Sequence, residues 1–199
     1  MNSLIIIDGH NLLFRMFYGM PDRIIGADGK PVHAAVGFIS AVCNVINSIH
    51  PSHMVVLFDS EECGERRQIN PEYKANRSAA PELVKSALEP LQEILGALNI
   101  PVVMMPGYEA DDVIGSMATQ WENEDSQVYM VTPDKDYGQL ITQNIYQYKP
   151  GKGGNEVEII GKKEVCENYG ICEPQQVIDI LTIWGDASDN VPGIRGIGE

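Results

Sequence analysis

The sequence predicts an α/β sandwich with a mainly parallel sheet. Two observations lead to this prediction. Short apolar runs rich in β-branched residues alternate with longer segments of helical apolar periodicity, and three of the short runs are soon followed by an aspartate. An uninterrupted apolar run indicates a strand that is covered on both faces. In such sheets, functional sites form at the carboxyl ends of the strands.

Six strands are expected along the chain. The first is an uninterrupted apolar run that ends in Asp8-Gly9, and the second ends in Asp59. The fourth is followed three residues later by Asp134. Glycines at 151–155 are typical of a hairpin tip that leads into the last strand. The expected strands span residues 4–7, 53–58, 102–105, 128–131, 145–148 and 156–160.

Seven helices are expected between and after these strands. Residues 33–49 place their apolar side chains on one side of a helix, and residues 81–98 repeat the pattern with Pro90 inside it. Prolines and glycines mark residues 20–31 as a loop. The expected helices span residues 11–19, 33–49, 81–98, 109–121, 137–140, 162–169 and 174–184.

Residues 60–80 form the only basic segment of the chain. They are polar, they lack a clean apolar period, and they contain Arg66, Arg67, Lys74 and Arg77. We therefore expect a mobile segment here rather than a regular element. The chain as a whole carries a net charge of −14, which alone argues against a nucleic-acid partner because phosphate contacts need Lys and Arg.

The composition favours a soluble, cytoplasmic protein. With 199 residues, of which 44% are hydrophobic, the chain can bury one sizeable core. No apolar run is long enough for a signal peptide or a membrane span, so no membrane partner is expected. The four cysteines show no C-x-x-C spacing and form no zinc pattern with the histidines, which indicates free thiols and no disulfide-linked partner.

Nine of the 28 acidic residues fall in five short clusters with apolar surroundings, whereas a solvated surface would scatter them. A lone aspartate after a strand is usually a turn residue or a helix cap. Three acids within residues 109–112, however, exceed what a helix N-terminus accounts for, and like charges held together indicate a bound cation. The clusters are Asp8; Asp59; Glu109, Asp111 and Asp112; Asp134 and Asp136; and Asp186 and Asp189.

Ligands that are all carboxylate oxygens indicate a hard cation, Mg²⁺ or Mn²⁺, rather than zinc. Carboxylates on separate segments fit a site with two ions about 3.5–4 Å apart. Two dications cannot neutralise nine acids, so some acids are expected to hold water bound to the ions. The remaining negative charge repels phosphate. Positive groups must therefore come from elsewhere, and Arg15 and the segment 66–77 are the candidates.

Seven stretches of the chain resemble the 5′ nuclease (flap endonuclease) superfamily, most closely the 5′→3′ exonuclease domain of bacterial DNA polymerase I and its stand-alone relatives. They are spread over the whole chain in the order and spacing of the family. The stretches are I-I-D-G-H-N-L-L-F-R (6–15), G-K-P-V-H-A-A-V-G-F (29–38), V-V-L-F-D (55–59), R-R-Q-I-N-P-E-Y-K-A-N-R (66–77), P-G-Y-E-A-D-D-V-I-G (106–115), V-T-P-D-K-D-Y-G-Q-L (131–140) and W-G-D-A-S-D-N-V-P-G-I-R-G-I-G-E (184–199).

The resemblance implies a PIN-like, three-layer fold, Mg²⁺ as the usual metal, and DNA with a 5′ single-stranded end or flap as the partner. It implies a nuclease core over residues 1–160, with a helical arch near 60–80 that the 5′ strand passes through, and the start of a helix-three-turn-helix region over 161–199. All nine acids match the metal cluster of the family: Asp8, Asp59, Glu109 and Asp111 in a first-metal group, Asp134, Asp136, Asp186 and Asp189 in a second, and Asp112 between them.

The resemblance also implies which residues contact DNA. Lys74 and Arg77 match the basic motif that contacts the scissile phosphate, and Arg66 lies in the same segment. Tyr73 either stacks on a base, which any base allows, or simply packs the arch. A hairpin of the family brings its backbone close to duplex phosphates, with a monovalent cation; the matching glycines are Gly193, Gly196 and Gly198.

Three positions depart from the family. Glu65 precedes Arg66 and Asn70 stands where aromatic residues are common, which would alter how the arch grips DNA. Pro133 replaces a small residue. Family members continue with roughly another domain of helices, so we expect this chain to be a fragment that keeps the metal site and has incomplete duplex binding.

The expected reaction is two-metal hydrolysis, in which one ion lowers the pKa of a bound water and the other stabilises the leaving 3′ oxygen. The sequence leaves open whether exonuclease or flap endonuclease activity dominates.

A PIN-type ribonuclease is the second enzyme hypothesis. Such an enzyme would share the sheet and the acids but would have neither the arch nor the G-I-R-G-I-G hairpin. A non-catalytic junction-binding protein would be expected to have lost some of the nine acids, and none is missing. A haloacid-dehalogenase-like phosphatase would need D-x-D after the first strand, whereas Asp8 is followed by Gly-His-Asn. A phosphate-binding loop of the ATPase type is absent from the sequence.

Overall fold

A six-stranded sheet forms the centre of the computed structural model, which describes residues 2–60, 65–151 and 157–198. Its strands are β1 (Asn2–Asp8), β2 (His53–Leu57), β3 (Val102–Val103), β4 (Ser126–Val131), β5 (Ile145–Lys149) and β6 (Glu158–Ile160). Their order across the sheet is β3-β2-β1-β4-β5-β6. The first five are parallel, and β6 runs antiparallel to β5 at the edge.

Helices cover both faces of this sheet. They are α1 (Gly9–Gly19), α2 (His33–Ile49), α3 (Glu65–Ile69), α4 (Glu82–Ala97), α5 (Ala110–Trp121), α6 (Lys162–Tyr169) and α7 (Val177–Trp184). Two short 3₁₀ helices span Lys135–Leu140 and Pro174–Gln176. A two-stranded hairpin, β7 (Gly185–Asp186) and β8 (Val191–Pro192), follows α7.

Strand β1 divides the core into two layers because successive side chains of a strand point to opposite faces. Ile5 and Ile7 pack with α1, α2 and α4, whereas Leu4 and Ile6 pack with α5 and with Val165 and Val177 from the later helices. All four β1 side chains are buried, and each such burial stabilises the fold by roughly 1.5–3 kcal/mol. This double burial explains why the run at 4–7 is apolar at every position.

The strand order places one switch point in the sheet, between β1 and β4. From β1 the chain builds outward to β2 and β3, and it then returns to the other side of β1 to add β4 and β5. The connections that leave β1 and β4 diverge at this point and leave a crevice at the carboxyl ends of the strands, where α/β proteins bind their ligands. Asp8 and Asp134 lie on its two sides.

The predicted fold class, an α/β sandwich around a mainly parallel sheet, is confirmed, and every predicted strand and helix is present, most of them with altered ends. The third strand is shorter than predicted, at Val102–Val103, and the last begins at Glu158. The helix predicted at 174–184 begins as a 3₁₀ turn at Pro174 before α7 starts. Of the predicted hairpin tip, residues 152–155 lie outside the described residues.

Two elements were not predicted. The sequence indicates no regular element between residues 60 and 80, yet α3 forms there and is followed by hydrogen-bonded turns over residues 70–77. The β7–β8 hairpin is also missing from the prediction. Both are short and polar, and both are held by contacts with residues far away in the sequence, which periodicity cannot register.

The later helices share a core with the sheet. Val165 of α6 and Val177 of α7 are buried in the same cluster as Leu4 and Ile6. A domain boundary at residue 160 therefore stays a prediction. No helix within the described ranges is both long enough and apolar enough to cross a membrane.

The packing of α5 on the sheet generates a stability prediction. Ile114 of α5 is fully buried, whereas Ile94 of α4 is 40% exposed. We expect Ile114→Ala to lower the free energy of unfolding by about 2–5 kcal/mol, because it removes buried methylenes and leaves a cavity. Ile94→Ala, the matched control, should cost less than half as much. Urea unfolding followed by circular dichroism measures both, and equal losses would contradict the proposed core.

Candidate functional site

A cavity of about 370 Å³ opens at the carboxyl ends of the central strands. Acidic side chains from five segments of the chain line it, although like charges repel. Glu109 and Asp112 lie outside this wall, and Asp112 lines an adjoining cavity of about 440 Å³. The acids that line the first cavity are Asp8, Asp59, Asp111, Asp134, Asp136, Asp186 and Asp189.

The backbone fixes the carboxylates on either side of the switch point. Asp8 caps α1 by accepting a hydrogen bond from the Asn11 N–H at 3.0 Å, and it also accepts one from the Thr132 hydroxyl at 3.3 Å. Asp134 caps the 3₁₀ helix by accepting from the Asp136 N–H at 3.0 Å. These aspartates are therefore both helix caps, the ordinary role of such residues, and cavity walls.

Gln147 of β5 holds the turn that carries Asp134. Its side-chain amide is buried and donates to the carbonyl oxygens of Thr132 at 3.0 Å and of Asp134 at 2.5 Å. The sequence analysis missed Gln147. A polar residue at a predicted strand interior was the available signal, because a buried amide needs partners.

Crowding raises the pKa of three carboxyl groups in the cavity. Burial, reinforced by the charges of Asp59 and Asp134, raises the pKa of Asp8 to about 7. Burial and the charge of Glu109 raise the pKa of Asp111 to about 6. Burial and the charges of Asp134 and Asp186 raise the pKa of Asp136 to about 6. Each shift shows that the cavity disfavours further negative charge and favours a cation.

Asp59 connects the second strand to α5 and to His10. Its carboxylate accepts a hydrogen bond from the Ala110 N–H at 2.7 Å, which ties β2 to the start of α5. Its own N–H donates to Nδ1 of His10 at 2.9 Å. Nδ1 therefore carries no proton, and the 3.4 Å approach of Nδ1 to the Asp59 carboxylate is not an ion pair. Burial also lowers the pKa of His10. The sequence analysis did not select this histidine.

The basic side chains of the 66–77 segment point back onto the acids. Lys74 Nζ lies 2.8 Å from Glu109 and 3.8 Å from Asp189, and Arg77 pairs with Asp189. The Tyr73 hydroxyl lies 3.0 Å from a carboxylate oxygen of Glu109 and 3.0 Å from one of Asp189, so its single proton is donated to one of these acids or shared between them. All three predicted DNA contacts thus already have partners within the chain.

Arg66 binds Asp112 through two parallel hydrogen bonds of 2.6 Å and reaches Glu109 at 3.2 Å. Although burial of Asp112 works in the opposite direction, these bonds hold the pKa of Asp112 below its ordinary value. Bidentate pairs between an arginine and a carboxylate are geometrically specific. Arg66 therefore pairs with the two acids that lie outside the main cavity and offsets part of their charge, and a role for it in binding DNA stays a prediction.

Backbone and amide hydrogen bonds join residues 70–77 to the loop between β7 and β8. The Lys74 N–H donates to the Asp189 carbonyl at 2.8 Å, the Asn190 amide donates to the Glu72 carbonyl at 2.7 Å, and the Asn76 amide donates to the Ala187 carbonyl at 2.8 Å. Lys74 and Asn190 both have left-handed backbones, with φ of 56° and 59°. We call this set of contacts the clamp, because it sets the position of Lys74 relative to Asp189.

The remaining predicted DNA contacts differ in their surroundings. Arg15 donates to the carbonyl oxygens of Pro150 at 2.5 Å and Gly151 at 3.0 Å, so it anchors the end of β5. A Cβ at Gly193 would overlap the backbone carbonyl of Trp184, so close packing within the chain already requires glycine at this position. Gly196 has φ of 86°, whereas Gly198 has open space around it.

The acids share a cavity, but they do not form a finished ligand cage. Within residues 2–60, 65–151 and 157–198, no three His, Cys, Asp or Glu side chains are arranged to ligate one ion. Glu109, Asp112 and Asp189 are engaged by Arg66, Lys74 and Arg77 instead. The geometry does not divide the acids into two metal groups, and that division stays a prediction.

Comparisons with known proteins agree with this architecture. The family model described as the 5′-3′ exonuclease, N-terminal resolvase-like domain, matches residues 3–170. DNA polymerase I of Mycobacterium bovis is 39% identical over 198 residues, which cover 99% of this chain and 22% of that protein. The 5′-3′ exonuclease of Aquifex aeolicus is 35% identical over 198 residues, which cover 100% of this chain and 66% of that protein.

A solved structure shows the same fold. The T5 D15 protein co-crystallised with metal ions superposes with a TM-score of 0.79 at 23% identity, over 99% of this chain and 72% of that one. The chain thus spans about a fifth of the polymerase relatives and about two thirds of the exonuclease relative. Since the family model matches most of its residues, the chain belongs to the 5′-3′ exonuclease family and carries its N-terminal resolvase-like domain.

Proposed function

We propose that this chain hydrolyses DNA phosphodiesters at a 5′ end or 5′ flap, as a 5′→3′ exonuclease and flap endonuclease that uses two divalent cations. The observation that carries the proposal is the cavity that seven carboxylates share, with Lys74 and Arg77 on its wall. The names of the polymerase and exonuclease relatives support the reaction, and the metal ions in the T5 D15 structure support a divalent cation. DNA replication and repair are the expected setting.

The donor set fits Mg²⁺ or Mn²⁺. The nine predicted acids offer carboxylate oxygens, which hard cations prefer. One oxygen of Asp136 is buried and has no hydrogen-bond partner among the described residues, as expected of an atom that awaits a cation. Asp8, Asp134 and Asp136 would hold the ions most directly, because they line the cavity on the two sides of the switch point. Bound ions would supply Lewis acidity at the attacking water and at the leaving 3′ oxygen.

The chain's own cations would receive the scissile phosphate. Lys74 and Arg77 would exchange their present partners, Glu109 and Asp189, for phosphate oxygens once cations neutralise those acids. They would then offset the negative charge that develops on the phosphate. Because the chain carries a net charge of −14, this local supply of positive charge is required for any phosphate to approach.

Three further DNA contacts belong to the proposal, and the structure supports them to different degrees. Tyr73 is 9% exposed and its hydroxyl is bonded to two acids, which favours packing of the arch over stacking on a base. Residues 193–198 are exposed, and their backbone would approach duplex phosphates together with a monovalent cation. Arg15 is already bonded to the carbonyl oxygens after β5, so it would contribute to DNA binding mainly by holding this part of the chain in place.

The first prediction concerns cleavage. We expect this chain to cut a 5′-flap duplex with a 3′ label near the flap junction in the presence of Mg²⁺ or Mn²⁺. Asp134→Asn should lower the rate at least about 100-fold, because it keeps the cap but removes a charge from the proposed metal site. The control is Asp125→Asn, an exposed acid at the opposite end of β4. Cutting that survives chelator, or that Asp134→Asn leaves intact, would refute the proposal.

The second prediction concerns pH. With chelator present, the folded protein holds a proton on Asp8 up to about pH 7, whereas the unfolded chain releases it near pH 3.8. The folded state therefore binds more protons in this interval, and the free energy of unfolding falls as pH rises through it. Asp111 and Asp136 act in the same direction. We expect the Tm of the metal-free protein to drop by several degrees between about pH 5 and pH 8.

Asp8→Asn tests the origin of that pH dependence. Asparagine caps helices as well as aspartate does, so α1 should persist. The variant should have a higher Tm than the wild type at pH 8 without metal, a flatter Tm-against-pH profile, and weaker Mn²⁺ binding. Calorimetric melts across the pH range measure the first two, and an unchanged slope would show that another group causes the pH dependence.

A further inference from the structure

Tyr137 lies in the wall between the two cavities of the site. It lines both the acidic cavity and the adjoining one, and only 3% of it is exposed. Its ring belongs to the core beneath α5, together with Val165 and Val177. No described residue offers its hydroxyl a hydrogen-bond partner. A buried hydroxyl without a partner costs free energy, so phenylalanine would serve better if packing were the only role of this residue.

The surroundings of this hydroxyl are acidic. Asp8, Asp111 and Asp134 line the acidic cavity together with Tyr137. In their charged form these carboxylates supply only acceptor oxygens, so the lone pairs of the phenol oxygen lack a donor. Asp136 shows the same deficit: one of its carboxylate oxygens is buried and unpartnered, and Asp136 lines the same two cavities.

A single species can satisfy both oxygens. A hydrated divalent cation keeps several of its waters when carboxylates bind it. Those waters are strong hydrogen-bond donors because the cation polarises them. One hydrated cation could therefore be bound by the Asp136 carboxylate and donate a hydrogen bond from one of its waters to the Tyr137 oxygen.

We propose that Tyr137 is a positioning residue, whose hydroxyl oxygen accepts a hydrogen bond from a water in the hydration shell of a divalent cation bound by the neighbouring acids. The inference rests on the proposed function, since it assumes that the cavity binds such a cation. Tyr137 would orient the ion and its waters, in cooperation with Asp136, without itself being a ligand. Partners of this kind hold the geometry that a metal needs.

The test compares two buried tyrosines. Tyr148 is 2% exposed, like Tyr137, but its hydroxyl is bonded to Ser48 Oγ at 3.2 Å on the other side of the sheet. Each is changed to phenylalanine, which removes one oxygen and keeps the ring. Mn²⁺ affinity is measured by isothermal titration calorimetry without DNA, and thermal melts with chelator report the stability of each metal-free variant.

We expect Tyr137→Phe to weaken Mn²⁺ binding by about 10–100-fold, with a metal-free Tm equal to or above that of the wild type. We expect Tyr148→Phe to lower the Tm and to leave Mn²⁺ affinity unchanged. In cleavage assays with saturating Mn²⁺, Tyr137→Phe should lower kcat and leave the KM for DNA unchanged.

Two results would overturn the inference. If Tyr137→Phe binds Mn²⁺ as tightly as the wild type does, Tyr137 only packs, while the proposed function stands. If the wild-type chain binds no Mn²⁺, the proposed metal site and this inference are both wrong. The two failures are distinguishable because the first appears only in the variant.

Discussion

The repulsion among carboxylates at one edge of the sheet is the constraint on which the rest of the site depends. Parallel strands bring their carboxyl ends to the same edge, so the residues after β1, β2, β3 and β4 converge whether or not their charges are compatible. Arg66, Lys74 and Arg77 offset part of this charge. Those side chains can reach the acids only if residues 66–77 lie across the edge, and the clamp holds them there. Residues 66–77 and the clamp thus offset negative charge at the edge where the parallel strands bring the acids together.

Sequence patterns predict the part of this arrangement that follows from strand and helix periodicity. Asp8, Asp59 and Asp134 could be placed together because each follows a strand of one parallel sheet. Asp186 and Asp189 lie on a hairpin that no periodicity indicates; the acidic clustering and the family resemblance connected them with the others, but no strand position did. The internal pairing of Arg66 with Asp112 could not be predicted at all, since it joins residues with no local relation. The same holds for His10, whose role is defined by a hydrogen bond across the fold, whereas a polar residue inside a predicted strand was a signal for Gln147.

Several of the acids have two roles at once, which explains how a repulsive cluster can be well ordered. Asp8 caps α1, Asp134 caps a 3₁₀ helix, and Asp59 holds the start of α5. A carboxylate that is bonded to backbone N–H groups loses little further freedom when it meets a ligand, so the cavity walls are arranged in advance. Raised pKa values at Asp8, Asp111 and Asp136 are the accompanying cost to stability. The backbone contacts therefore make the site rigid, whereas repulsion among its charges lowers the stability of the metal-free fold.

The position of β1 also has a consequence for how the chain folds as it is synthesised. β1 leaves the ribosome long before β4, the strand with which it pairs and whose last residue is Val131. Until that residue emerges, β1 can pair with β2 along one edge only, and the edge that later receives β4 stays open. Pairings between segments so far apart form slowly, because a long loop must close first. The nascent chain consequently exposes an unpaired, aggregation-prone strand edge while residues 9–131 are being synthesised, so slow expression at low temperature or chaperone binding to β1 should govern the yield of folded protein.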